Sequence, residues 1–222
     1  MTISEAYISF LTKVNQNYKS NNITASKDRF IRLYNEEQVR YIELILERKN
    51  DDEIRQINKF LTSKVLNTST IQDTKFTFSL PDNFLDFSSA FSKVSTTNCK
   101  DIRVSLFEIK DFNTEQVLLD NNNKPSLSYR EAPCYIGNES INIFTEGFNV
   151  DSVTLSYYRY PNNVDIEGYI HIGSNIASSN VDPEGDNAFI NKVISGCAES
   201  FFRNYGDTTQ VQINKDRIIN NN

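Results

Sequence analysis

Apolar residues recur along this chain in two different rhythms, and the change between them divides it. From Asp28 to Leu61, Phe30, Leu33 and Tyr34 are followed by Tyr41, Ile42, Ile45 and Leu46, then by Ile54, Ile57 and Leu61. Spacings of three and four residues put these side chains on one face of a helix. Arg29, Arg32, Glu36, Arg40, Glu43, Glu47 and Arg48 fill much of the remaining surface. Asn35 with Gln38, and Asn50 with Glu53, have capping-box spacing, which predicts a break into successive helices ending near Leu66. At the start, Thr2 and Glu5 form another such pair, and Ile3, Tyr7, Phe10, Val14 and Tyr18 predict a first helix from about Ile3 to Tyr18. The polar stretch from Lys19 to Lys27 reads as a loop.

From Ile71 the period becomes two. Phe76, Phe78 and Leu80 alternate with serine and threonine, and Pro81-Asp82-Asn83 supplies turn chemistry. Ile102, Val104 and Leu106 repeat the alternation. Asn121-Asn122-Asn123-Lys124-Pro125 is a strong turn signal, and SLSYREA, CYIG and INIF are short strand candidates separated by Pro133 and by Gly137 to Ser140. Asp151 to Tyr160 is the clearest strand, with Val153, Leu155 and Tyr157 facing one way and Thr154, Ser156 and Tyr158 the other. GYIHIG is a last short strand. After a polar loop, Phe189, Val193, Cys197 and Phe201 fall four residues apart. They predict a helix from Asp186, its cap, to Tyr205, with Gly206 as the left-handed residue that ends it.

These rhythms predict an α+β protein. A helical part spans 1–70 and is completed by the helix at 186–205, whose apolar stripe packs back on the N-terminal helices. A central antiparallel β-sandwich-like domain spans 71–173, a loop 174–185 and a polar tail 207–222. The tail has too little apolar surface to offset about 1–2 kcal/mol of backbone ordering entropy per residue. Val211, Ile213, Ile218 and Ile219 are its only apolar anchors, suited to lying along an adjacent subunit.

Composition narrows the chemistry. The chain has 222 residues, 38% hydrophobic and 12% aromatic, enough for a real core, and carries a formal net charge of -6. An acidic chain of this kind does not bind nucleic acid through a general basic surface. The start, MTISEAYISFLTKV, lacks the basic segment and apolar core of a signal peptide, and no apolar run approaches the roughly 20 residues that span a bilayer. No membrane partner is expected, and the chain reads as made in a cytoplasm. Cys99, Cys134 and Cys197 are far apart and odd in number, so they read as reduced thiols, and no pair has metal-ligand spacing.

Signatures of catalysis are missing: the chain has no GxSxG, GxxxxGK[ST], GxGxxG or HExxH. His171 is the single histidine and lies in a strand pattern, where it reads as structural. Asp182, Glu184 and Asp186 alternate as in a calcium loop, but the sixth and twelfth positions are Asn187 and Val193 rather than Gly and Glu. Acidic residues before a helix are accounted for by capping and the helix dipole. No catalytic, metal or cofactor site is therefore expected, and Arg29, Arg32 and Arg40 read as a solvated helix face. Two aromatic–arginine clusters stand out, YYRYP and FFRNY. Tyrosine and arginine dominate contact energies at protein interfaces, though aromatics also fill cores. The candidate interface residues are Tyr158, Arg159 and Tyr160, with Tyr158 the expected exposed member, together with the four tail anchors.

The order of landmarks carries a further reading. DRFIRLYNEEQVRYIELILE is followed by RKNDDEIRQINKFL, by SLPDNFLDFSSAF, by SYREAPCYI, by SYYRYPNNVDIEGYI and by a DP-containing loop before a helix. This series, from about Asp28 to Tyr205, resembles the structural ring proteins of crAss-like tailed bacteriophages, which act in the connector between portal and short tail. The resemblance implies helices plus a β-domain assembled as a ring, commonly twelvefold. It implies a non-enzymatic head–tail adaptor in the virion, with portal and other tail ring proteins as partners and genomic DNA passing through the lumen without specific binding. An alternative is a carbohydrate- or receptor-binding β-sandwich module of a phage tail; a third is a hydrolase using a carboxylate pair.

Overall fold

The structure is a computed structural model of the chain, and it describes residues 1–16, 24–67, 69–72, 74–110, 123–170 and 177–203. It is an α+β protein of two compact units. The first comprises Met1–Lys59 and Pro161–Asn222, the second Phe60–Tyr160, so in the chain the second unit interrupts the first.

The helical unit begins with α1 (Ile3–Gln16). Its first turn is closed reciprocally: the Thr2 N–H donates to Glu5 Oε2 at 2.8 Å, and the Glu5 N–H donates to Thr2 Oγ1 at 3.3 Å. That capping box satisfies two amides that the helix leaves without intrahelical partners. Helix α2 (Lys27–Arg48) starts at Ser26, whose hydroxyl accepts the Arg29 N–H. It ends at Lys49, a left-handed residue with φ 52°, whose N–H returns to the Ile45 carbonyl. Asn50 caps α3 (Asp51–Ile57) by accepting the Asp52 N–H at 3.0 Å.

Asn35 and Gln38 do not break α2, contrary to their capping-box spacing. Asn35 exchanges two hydrogen bonds with the backbone of Val164, accepting its N–H at 2.8 Å and donating to its carbonyl at 3.2 Å. Gln38 Nε2 donates to Asn35 Oδ1 and to the Asn162 carbonyl. Both amides are used by the returning chain, so neither serves an N-terminus inside the helix.

The last helix, α4 (Asn187–Arg203), is capped by Asp186, which accepts the Phe189 N–H at 2.7 Å. It packs on both α1 and α2. Phe10 and Phe201 meet edge-on at 5.7 Å, and Phe10 also lies 5.0 Å from Phe30. Tyr41 contacts Phe189 at 5.5 Å. The predicted stripe is buried: Phe189, Val193, Cys197 and Phe201 are all within 1% of full burial. Gly206 and Tyr205 lie outside the described residues.

A short 3₁₀ turn, Asn58–Phe60, leads into the β unit. Eight strands follow: β1 (Leu61–Leu66), β2 (Ser69–Gln72), β3 (Lys75–Ser79), β4 (Phe84–Ser95), β5 (Ile102–Glu108), β6 (Glu131–Ile136), β7 (Ser140–Phe144) and β8 (Asn149–Arg159). They form one continuous sheet in the order β1-β8-β4-β5-β6-β7-β3-β2. The expected antiparallel sandwich is thus a single mixed sheet, because β5 and β6 pair in parallel. One apolar cluster takes residues from both ends of the ladder, Leu66 of β1 as well as Phe76 and Phe78 of β3, so the sheet curls around a shared core. Three register shifts between the long strands β4 and β8 supply local bending.

Two boundaries differ from expectation. Leu61–Leu66, assigned from periodicity to the helical part, is the end strand β1, and the β unit opens at Phe60 rather than at 71. It closes at Tyr160 rather than at 173; Ile170 makes only an isolated bridge with Ala177. Pro133, expected to separate strands, lies inside β6. There it pairs with Phe107 of β5, while pairing with β7 begins only at Cys134, so its missing N–H falls where β6 has no β7 partner.

Candidate interface

Tyr158, Arg159 and Tyr160 stand at the end of β8. Tyr158, expected to be exposed, is buried at 7%. The reason is its place in the ladder: β8 lies between β1 and β4, and Tyr158 is flanked by Leu61 on one side and Asp86 on the other. Burial, then the nearby Asp86 charge, raises its phenol pKa. Tyr157 is also buried; it stacks on Phe84 at 5.6 Å and donates its hydroxyl to Asn83 Oδ1 at 2.9 Å. Tyr160 is the exposed tyrosine of the cluster, at 44%. Its N–H donates to the Asn83 carbonyl, and its own carbonyl accepts from Arg159 Nη1 at 3.0 Å. The Arg159 guanidinium also lies 5.8 Å from the Phe60 ring, at the far end of cation–π range.

Of the second cluster, the two phenylalanines are core. Phe201 and Phe202 are fully buried, and Arg203 pairs with Glu199 at 2.6 Å. The Arg29 guanidinium sits 4.6 Å over the Phe201 ring, while Arg32 pairs with Asp28 and Arg40 with Glu37. His171, Asn121, Asn122 and the tail anchors Val211, Ile213, Ile218 and Ile219 lie outside the described residues.

Each of the three alternating carboxylates before α4 holds backbone. Asp182 Oδ1 accepts the Ile3 N–H at the start of α1, Glu184 accepts the Asn162 N–H and side-chain amide, and Asp186 caps α4. Capping accounts for Asp186 as expected, whereas the bonds of Asp182 and Glu184 reach residues far away in sequence. Among the described residues, no group of three or more His, Cys, Asp or Glu side chains is placed to hold a metal ion. The cysteines are free thiols, Cys134 and Cys197 buried and Cys99 exposed. Burial raises the Cys134 pKa to about 12 and that of Cys197 well above the usual thiol range. Neither is thereby activated as a nucleophile.

Periodicity missed the aliphatic side chains that stand on the surface of the β unit. Leu61 and Val65 on β1 are 41% and 53% exposed, and Ile71 on β2 is 65% exposed. They occupy the two end strands of the sheet. Leu61 and Val65 are four residues apart with only polar residues between, in step with the helical spacing of Ile54, Ile57 and Leu61, so no alternation announced the strand. In the helical unit, Ile8 is 63% exposed on α1 and lines a shallow depression with Leu11, Thr12, Asn15 and Gln16. Among the described residues, no helix is long and apolar enough to cross a membrane. No protein-family model and no curated protein matches the chain.

Proposed function

We propose that this chain is a non-enzymatic structural subunit of a phage head–tail connector ring, joining portal to tail and letting DNA pass. The observation that carries the reading is where the resembling landmarks fall. DRFIRLYNEEQVRYIELILE is the spine α2, and SLPDNFLDFSSAF is the turn into the long strand β4. SYYRYPNNVDIEGYI ends β8 and returns the chain to Asn35 and Gln38 of α2. The resemblance to crAss-like phage ring proteins thus follows framework residues in fold order, rather than a scatter of surface loops. Exposed aliphatics on both end strands of the sheet support assembly by contact.

The partners are further copies of this chain, twelvefold by the resemblance, together with the portal and other tail rings, in the virion. With -6 formal charges per subunit, lumen walls that neither hold nor brake DNA are the default. The test is co-assembly with the portal protein followed by imaging. Multiple copies of this chain in a ring on the portal are expected. A portal complex lacking multiple copies sinks the reading, and tight, salt-sensitive binding of duplex DNA by the subunit counts against it.

A further inference from the structure

The two end strands of the sheet are not alike. Ile71 of β2, Phe76 of β3, Ile143 of β7 and Cys134 of β6 are successive cross-strand partners, so they share the core-facing side. Phe76, Ile143 and Cys134 are 3%, 0% and 0% exposed, whereas Ile71 is 65% exposed. An apolar row that is dry across three strands and wet at the fourth lacks an outer neighbour. At the opposite end, the core-facing row through Leu155 terminates in Lys64 of β1. A charge on the core-facing side of an end strand obstructs further pairing. The β2 sequence, Ser-Thr-Ile-Gln, contains neither charge nor proline. Among the described residues nothing pairs with its outer edge, where alternate residues present backbone N–H and C=O groups.

Such an edge accepts an extended segment that places an aliphatic side chain beside Ile71. The chain itself contains one beyond α4. Gln210-Val211-Gln212-Ile213-Asn214 alternates polar and apolar residues without a charge, five residues against the four of β2. Six residues lie between Arg203 and Gln210, and the seven steps reach about 23 Å when extended, enough to leave one subunit for the next.

We infer that Gln210 to Asn214 of a second copy of this chain adds as a ninth strand along β2, with Val211 and Ile213 continuing the row of Ile71. The ring reading above supplies the second copy. Strand exchange of this kind between neighbours is head-to-tail, so it closes into a ring when the rotation allows.

The test uses full-length chains carrying Cys99→Ser, to remove the exposed native thiol. One population carries Thr70→Cys, the other Gln212→Cys or Gln210→Cys. Both positions face away from the core row and lie within disulfide reach when the strands pair. Mixing under mild oxidation is expected to give disulfide-linked dimers between the two populations, and adding Ile71→Lys is expected to reduce their yield about tenfold, the loss of one aliphatic contact and the gain of a charge. Ile71 is largely exposed, so circular dichroism of that variant should match the parent. Absence of mixed dimers at every concentration up to the solubility limit overturns the inference. So does a rapid disulfide within one chain carrying both cysteines when dilution abolishes the mixed product, because the strand then comes from the same copy. Neither result touches the ring reading, which is tested separately by the copy number found with the portal and by duplex-DNA binding.

Discussion

The two units satisfy their polar groups in different ways. In the helical unit, charged and amide side chains lie inside: Glu37, Gln38 and Glu199 are 6%, 0% and 7% exposed. Glu37 accepts from Arg40 Nε and Nη2 and from the Ser200 hydroxyl, tying α2 to α4. In the β unit, the buried polar side chains among the described residues are only Ser92 and Thr145. A sheet pairs its backbone strand to strand, and its outward positions hold small hydroxyls that bond sideways, as Ser63 does with Ser156 and Thr77 with Asn142. A helix satisfies its backbone alone, so the match between one helix and another is left to side chains. The helical unit joins stretches from opposite ends of the chain, and its internal carboxylates and amides specify how those stretches meet. The β unit is contiguous and is specified by register.

The sharpest way to break this comparison is to remove the aromatic that α4 brings to α1. Phe201→Ala deletes a fully buried ring that contacts Phe10, Phe202 and the Arg29 guanidinium. A loss of about 3–5 kcal/mol is expected, typical of Phe→Ala in a core. Hydrogen exchange should show α1 and α2 losing protection. An equal loss across β4 and β8 would mean that the units unfold together and the distinction between them collapses.

Alkaline pH separates the units by a smaller margin. Burial first, then the Glu53 charge, raises the Tyr41 pKa to about 12, and burial raises Tyr34 and Cys197 as well. In the β unit, burial, then Glu108, takes Cys134 to about 12, while Tyr157 and Tyr158 are raised by burial. As pH climbs past the ordinary thiol and phenol values, the unfolded chain releases protons that the folded chain keeps. Stability is therefore full below about pH 8.5; above it each buried thiol, and above about pH 10 each buried phenol, subtracts up to about 1.4 kcal/mol per pH unit until its folded pKa is reached. Tyr7, Tyr34, Tyr41, Tyr169 and Cys197 all draw on the helical unit, against Cys134, Tyr157 and Tyr158 on the β unit. Circular dichroism across pH 8–12 should thus lose helical signal before sheet signal, and the reverse order would overturn the assignment.

The smallest effect tests the carboxylate that ties α2 to α4. A Cβ at Gly196 would lie 2.7 Å from Glu37 Oε2. Gly196→Ala gains about 1 kcal/mol of helix propensity but displaces an acceptor whose bonds are worth about 1–3 kcal/mol. A net loss of about 1 kcal/mol in thermal or urea unfolding is expected. A stabilised variant would show that Glu37 swings aside at no cost and that its bonds do not specify the helix match.

Legibility divided along the same line. Helices α1 and α4 could be read because amphipathic spacing is local, and their caps Thr2, Asn50 and Asp186 act within a few residues. The capping-box spacing of Asn35 and Gln38 misled because both side chains bond Asn162 and Val164, more than 120 residues away. The longest strand, β4, went unread. Its register shifts between Phe84 and Asp86 and between Phe87 and Ser89 break the alternation, leaving Phe84, Phe87 and Phe91 at nearly helical intervals. The surface aliphatics were missed for a related reason: nothing in Leu61, Val65 or Ile71 marks them as belonging to end strands.

By itself, then, the chain's local chemistry determined where helices start, which residues alternate, and that α4 carries a stripe in need of partners, because spacing and capping act over one or two turns. Strand order, the parallel pairing of β5 with β6, the burial of Tyr158 and the exposure of Ile71 were decided only by tertiary structure. They depend on which strands lie side by side, and a side chain in a strand pattern faces water or core according to neighbours that are distant in sequence.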